Sequence, residues 1–269
     1  MYQNDLSIQR KKYLQTQKRN KFAINLSRAA ILIIFIAFWE LGARFSLIDS
    51  FVLSSPSRIL AVLLDFRANN LLLHIATTLF ETCIGFILGV VLGLIIAVLL
   101  WWSPFLSKVS EPYLVVLNSL PKIALGPVII IWAGAGTRAI IFMALAISMI
   151  VTVLEMLSGF KMTDSELIKM LTTFGASRFQ IFSKIVLPYN IETLFNSLKI
   201  NIGLTLVGVI AGEFLVSKAG LGYLIVYGGQ VFKMDLVMAS VLILAVAAAI
   251  LYEIIVIAQK FVLKLTSHK

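Results

Sequence analysis

Glu40, Glu81, Lys122, Glu155, Lys199, Glu213 and Glu253 all fall inside apolar runs of this chain. A charge at bilayer depth is costly, so it faces a bundle interior or a watery path, or it pairs with an opposite charge. Glu40, Glu155 and Glu253 stand near the ends of their runs, where side chains extend to the headgroups. Lys122 and Glu213 offer sharper chemistry. Lys122 follows Pro121, which interrupts its run and frees main-chain carbonyls that must be satisfied inside the protein. An ammonium there would either draw an anionic solute or pair with Glu81 or Glu213 to hold helices together. Asn118 and Ser119 would hydrogen-bond along a path or between helices. Asn118, Ser119, Pro121, Lys122 and Glu213 are therefore the expected pathway residues. Catalysis has less to work with: His74 reads as an interfacial residue, with no second His or Cys near it, and no nucleophile–base set is visible, so no catalytic residue, metal or cofactor is expected. Cys83 is the single cysteine; it reads as a small packing residue and has no partner for an intrachain disulfide.

A second group of residues is polar and separates two apolar runs. Thr163-Asp-Ser-Glu166 reads as a capping box, with Thr163 capping the first turn and Glu166 reaching back. Leu167, Met170, Leu171 and Phe174 follow at helical spacing on one face. Gly175 sits where a helix needs a left-handed residue to stop. Ala176 and Ser177 come next, and Ser177 would cap a second helix. Phe179, Phe182, Ile185 and Val186 share that helix's apolar face, and Leu187-Pro188 ends it. Two short amphipathic helices hinged at Gly175 are expected, carrying Lys169, Arg178 and Lys184. Such helices lie on a membrane surface or plug into a groove on a partner; the residues alone leave both open.

The elements that position these residues follow from composition. The chain is 60% hydrophobic and 13% charged, where a soluble domain carries about 25% charge. Several apolar runs exceed the roughly 20 residues that cross a bilayer, whereas a membrane barrel would show ~10-residue alternating segments. The expected class is an all-α polytopic membrane protein with spans near 29–48, 75–101, 112–133, 138–158, 193–215 and 236–260. Trp101-Trp102 suits an interfacial belt at the end of the second span. Lys and Arg gather in 1–28, 102–111, 159–192 and after Lys260, which predicts cytoplasmic termini and a cytoplasmic 159–192 loop. The same bias accounts for the net charge of +10, so nucleic acid is not an expected partner. Residues 1–28 read as a basic cytoplasmic tail beside the lipid surface, without a cleavage site. Residues 29–70 hold the first span and a short outer-surface helix, Ser57–Phe66, started by Ser54-Ser55-Pro56-Ser57. Residues 71–262 form the main membrane domain, and 263–269 a C-terminal tail. Gly85, Gly89 and Gly93 mark a close-packing seam.

The spacing of Gly175, Ile185 and Leu187-Pro188 resembles the cytoplasmic signature of permease subunits in binding-protein-dependent ABC importers. Leu53-Ser-Ser-Pro56-Ser57, Glu111-Pro112 through Ser119-Leu-Pro121-Lys122 to Ile131-Trp132-Ala-Gly134-Ala-Gly136, and Ala211-Gly-Glu213-Phe-Leu with Ala219-Gly220-Leu-Gly222-Tyr223-Leu224 are similar to one branch of them. That branch serves nitrate, taurine and aliphatic sulfonates, with relatives for thiamine-precursor pyrimidines; the likeness covers about residues 50–262. It implies a type I ABC importer permease fold and a coupling helix, Met170–Phe179, docked in a cleft of a cytoplasmic ABC ATPase subunit. It also implies an extracytoplasmic solute-binding protein, a second copy of the permease, and a small organic or inorganic anion as solute, with a thiamine-precursor pyrimidine as the alternative. Lys169-Met170-Leu171 stands where the family has Glu-Ala-Ala, and the only nearby acid is Glu166, so the ionic contact to the ATPase must differ. No G-x-x-x-x-G-K-[ST] occurs, so ATP hydrolysis is expected of a separate chain and this one is read as a transport subunit, not an enzyme. The competing reading, a self-energised secondary transporter or channel, would need a relay of membrane carboxylates and no such loop.

Overall fold

Main-chain polar groups in hydrocarbon must find partners within their own segment, which leaves the helix as the default for apolar runs of this length. The computed structural model describes residues 2–65 and 69–266, and among these every regular element is helical. The chain divides into two compact units, residues 1–64 and 65–269.

The first unit holds α1 (Tyr2–Arg44), α2 (Ser50–Leu53) and α3 (Pro56–Leu64). The basic segment expected as a tail is helical from Tyr2, because neither Pro nor Gly interrupts the chain before Gly42. At 43 residues, α1 is longer than a bilayer needs; its apolar part lies within Tyr13–Arg44. Glu40 does not stand alone at a headgroup. It accepts from Arg44 Nε at 2.8 Å and from the Ser57 main-chain N–H at 3.0 Å, so it ties α1 to the start of α3. Helix α3 starts at Pro56, as the serine–proline signal predicts, and ends at Leu64; the expected end, Phe66, lies outside the described residues.

The second unit is built on α4 (Leu71–Trp102), α7 (Thr137–Lys161) and α11 (Ile191–Val216), with α13 (Met234–Thr266) beside α11. Five helices, α1 included, are long and apolar enough to cross a membrane, and a bent pair makes a sixth. The glycine seam on α4 meets a matching row of small residues on α7. A Cβ at Gly85 would stand 2.8 Å from Ala144 Cβ, one at Gly93 2.6 Å from Thr152 Cβ, and one at Gly89 would collide with Ser148 Oγ. The four-residue spacing is shared by both helices, so their backbones approach along two full turns. Cys83, read as a packing residue, is exposed on the other side of α4.

The expected third span, 112–133, is not one straight helix. Ser103 caps α5 (Pro104–Ser119), with Pro104 in its first turn, so helix begins inside what was expected to be a loop. Leu120, preceding Pro121, is extended at φ −66°, ψ 139°, because the proline ring disfavours the helical conformation for its predecessor. A 3-10 turn, Lys122–Leu125, then leads into α6 (Gly126–Ala133), and the two arms meet at 88°. Pro127 opens α6, where a missing N–H costs nothing.

Candidate functional site

The segment between α7 and α11 contains α8 (Ser165–Thr173), α9 (Arg178–Ile181), a π-helical turn (Phe182–Val186) and α10 (Leu187–Tyr189). Asp164, not Thr163, caps α8: its carboxylate accepts the Glu166 N–H at 2.8 Å. Thr163 is drawn inward instead, where its Oγ1 accepts from Asn190 Nδ2 at 2.8 Å. Gly175 ends α8 at φ +78°. The Ala176 N–H reaches Leu171 O and the Gly175 N–H reaches Thr172 O, both at 3.0 Å, the paired bonds of a Schellman stop. Ser177 caps α9 reciprocally with Gln180, the Ser177 N–H reaching Gln180 Oε1 at 2.7 Å and the Gln180 N–H reaching Ser177 Oγ at 3.3 Å.

Pro188 does not end the second helix. It removes the N–H that Lys184 O would receive in an α-turn, and a π turn over Phe182–Val186 absorbs the mismatch so that helix continues to Tyr189. One extra residue in that turn rotates the apolar face. Ile181, Phe182 and Val186 point inward, while Phe179, expected on the same face, is exposed.

The loop is anchored in the bundle. Ile168, Leu171, Ala176, Ile181, Phe182 and Val186 pack with Leu100 of α4 and with Met156 and Phe160 of α7. The Phe182 ring lies 5.2 Å from Trp101 and 5.5 Å from Phe160, and Arg178 Nη1 donates to the Trp102 carbonyl. Its other face is bare: Met170 is 48% exposed, Phe179 67%, Met162 77% and Phe174 80%. Ile168 and Leu171 thus form the inner stripe of α8 and Leu167, Met170 and Phe174 the outer one, where one shared face was expected. Glu166, Lys169, Ser177 and Arg178 are also on the surface, while Ile185 is half-buried and Leu187 exposed.

The expected pathway residues do not converge. Lys122 Nζ is held by Asn118, at 3.2 Å to Oδ1 and 3.3 Å to its carbonyl oxygen, and Ser119 Oγ bonds back to Val115 O at 2.9 Å. All three side chains cluster at the bend next to Pro121, and Lys122 forms no ion pair with Glu81 or Glu213 among the described residues. Glu213 is buried on α11 at the start of α12 (Leu221–Gln230). It accepts from Thr78 Oγ1 at 2.6 Å and from the Gly222 N–H at 2.5 Å. The neighbouring amides are taken in the same way, Leu221 N–H by Thr78 Oγ1 at 2.8 Å and Gly220 N–H by His74 Nδ1 at 2.9 Å. His74, expected at an interface, is buried and stacks on Tyr223 at 5.7 Å. Gly220 and Gly222 permit this because a Cβ at either would meet the Glu213 side chain. Glu81 is fully buried nearby, and neither of its oxygens has a hydrogen-bond partner among the described residues. Glu155, expected at a headgroup, instead lines a cavity between α7 and α11. Its position near a run end hid it, and only the polar facing residues Thr193, Asn196 and Ser197 would have signalled the cavity.

Residues 89–268 match the family described as the binding-protein-dependent transport system inner membrane component. The chain belongs to this family. A probable ABC transporter permease of Haemophilus influenzae is 29% identical over 219 residues, covering 81% of this chain and 89% of that protein. The formylaminopyrimidine transport permease ThiX of Halalkalibacterium halodurans is 26% identical over 198 residues, or 74% and 79% of the two chains. In fold, the chain superposes on a chain of the inward-facing MetNI methionine ABC transporter with a TM-score of 0.65 at 19% identity, covering 71% of this chain and 95% of the other. The helical bundle thus has the type I ABC transporter permease fold, and the chain is a multi-pass membrane transport subunit.

Proposed function

We propose that this permease works in an ATP-driven importer, in which α8 and α9 form the coupling element that docks on a cytoplasmic ATPase subunit. The observation that carries the reading is the bare apolar stripe of Met162, Met170, Phe174 and Phe179 on a loop whose opposite face is packed into the ends of α4 and α7. A surface that is apolar outside and anchored inside transmits force only when a partner covers it. The loop lies on the cytoplasmic side with both termini, in line with the distribution of Lys and Arg. A solute-binding protein delivers from the other side, and two copies enclose the path, which supplies a cover for the exposed Ile131 and Trp132 of α6.

Two solute classes stand on different observations. A thiamine-precursor pyrimidine is supported by the similarity to the formylaminopyrimidine permease. An anion such as a sulfonate or taurine is supported by the similarity to aliphatic-sulfonate and taurine permeases, but the ammonium of Lys122, expected to draw it, is already occupied by Asn118; on that ground the pyrimidine class is placed first.

The test is co-purification. The ATPase encoded with this permease should elute with the parent chain and be lost from Phe174→Asp, with the permease itself still monodisperse. Retention of the ATPase by Phe174→Asp, or vesicle uptake that follows an ion gradient without ATP, would overturn the reading.

A further inference from the structure

Where the last turns of α7 face the first turns of α11, at the end of the bundle that bears α8 and α9, lies a cavity of about 580 Å³. Its polar wall consists of Glu155 and Ser158 from α7, Asn190 at the start of α11, and Thr193, Asn196 and Ser197 from α11 itself. Its one carboxylate is left partly free, and the Asn196 amide and the Thr193 and Ser197 hydroxyls around it can donate or accept. Glu155 Oε2 is shielded and has no hydrogen-bond partner among the described residues. Asn190 spends both amide hydrogens elsewhere, on Thr163 Oγ1 and Val186 O at 2.8 Å each. That leaves its Oδ1, which lies over Gly159, where a Cβ would come within 2.6 Å of it. Ser158 Oγ donates to Met162 Sδ at 3.9 Å, so its lone pairs remain. Lys199 does not line the cavity and is bonded to Asn196 Oδ1 at 3.4 Å.

A cavity whose one charged wall residue is a carboxylate with a shielded, unpaired oxygen recognises donors. An N–H group satisfies the unpaired Glu155 oxygen, whereas an oxyanion is repelled by that carboxylate even where Thr193, Asn196 or Ser197 donates to it. The volume is that of an ordinary small-molecule site, roughly 300–1,000 Å³, and larger than a single small ring fills, so the solute would sit among waters and leave again readily. We propose that this cavity is a solute station on the translocation pathway, specific for a small solute that carries an amino or ammonium group, with Glu155 as the residue that receives its N–H. The inference rests on the importer reading and adds to it a site and a selectivity: amine-free anions such as nitrate or a simple alkanesulfonate are poor occupants.

The test uses the permease–ATPase complex in liposomes, in a Cys83→Ser background with Ser158→Cys as the reporter. A cationic methanethiosulfonate (trimethylammonium-ethyl) should label the reporter about tenfold faster than an anionic one (sulfonatoethyl), as a carboxylate focusing its field into a cleft requires. Glu155→Gln should bring the two rates together, and Glu155→Asp should keep them apart. Excess cytosine, an amine-bearing probe, should slow labelling, and excess ethanesulfonate should not. Equal rates in the parent, absence of labelling, a preference that survives Glu155→Gln, or protection by ethanesulfonate would each overturn the proposal. ATP hydrolysis stimulated by the binding protein is measured on the same complex; its absence would count against the importer reading and would leave the labelling result to stand by itself.

Discussion

Arg178 donates its guanidinium to the main-chain carbonyl of Trp102, the last residue of α4. The bond joins the exposed loop to the point where α4 turns into α5, and Phe182, packed against Trp101 and Trp102, reinforces it. Force applied to α8 and α9 therefore reaches two membrane helices directly. A charge-assisted hydrogen bond of this kind contributes about 1.5–3 kcal/mol, enough to set whether loop and helix move together. Arg178→Ala should leave the ATPase bound and hydrolysing but lower uptake about tenfold. Arg178→Lys, which keeps one donor, should recover part of it. The ratio of solute moved to ATP consumed is the measurement, and an unchanged ratio in Arg178→Ala would sink the argument.

Gly175 holds a left-handed turn in open space, with nothing within 4 Å of where a Cβ would stand. A substitution there is resisted by the backbone alone, at about 1–2 kcal/mol for a left-handed L-residue. Gly175→Val should abolish uptake with normal membrane insertion, because the angle between α8 and α9 changes while the bundle does not. Gly175→Asn, a residue that tolerates the left-handed region, should keep most of the activity. Uptake assays on both variants separate loop geometry from the mere presence of a side chain.

The seam between α4 and α7 makes a prediction about stability. Gly89→Ala drives a methyl into Ser148 Oγ, and overpacking of this kind costs about 1–3 kcal/mol. Ser148→Ala removes the obstructing oxygen, so the double variant should regain most of the lost thermal stability in detergent. If the two changes simply add, the contact is not where the cost arises.

Glu213→Ala would leave the Gly222 amide without its acceptor and the Thr78 hydroxyl without its own, at about 1–3 kcal/mol for each orphaned donor. Hydrogen exchange should rise at Leu221 to Leu224 and stay unchanged in α8 and α9. Uniform loosening of the whole chain would show that Glu213 matters to the fold in general and not to the start of α12.

What could be read from the residues is what repeats. The apolar runs, the glycine seam and the stop at Gly175 depend on local spacing, and the structure has them where the spacing puts them. The misreadings share a different cause. Thr163 and Asp164 are both good caps in sequence; the choice is made by Asn190, which takes Thr163 Oγ1 from 27 residues away. Val186 and Ile185 changed register with Phe179 because a π turn precedes Pro188, and one extra residue in a turn is invisible to a period of 3.6. Glu155 and His74 looked like interface residues because depth was judged by distance from the ends of a run, whereas their surroundings come from α11 and from the segment opening α12. The bend at Leu120-Pro121 was half legible: the proline announced an interruption, but not an angle of 88°.

The amides that open α12 are each claimed by a side chain of α4 or α11. Those three helices are consequently locked into one plate at the end of the molecule away from the loop. A transporter must yield somewhere to face first one compartment and then the other, and this plate is the wrong place to look. On the proposed importer reading the compliance falls to the elbow between α5 and α6 and to the faces this chain leaves uncovered, so stiff slabs would tilt against a neighbour with little breathing inside any one of them.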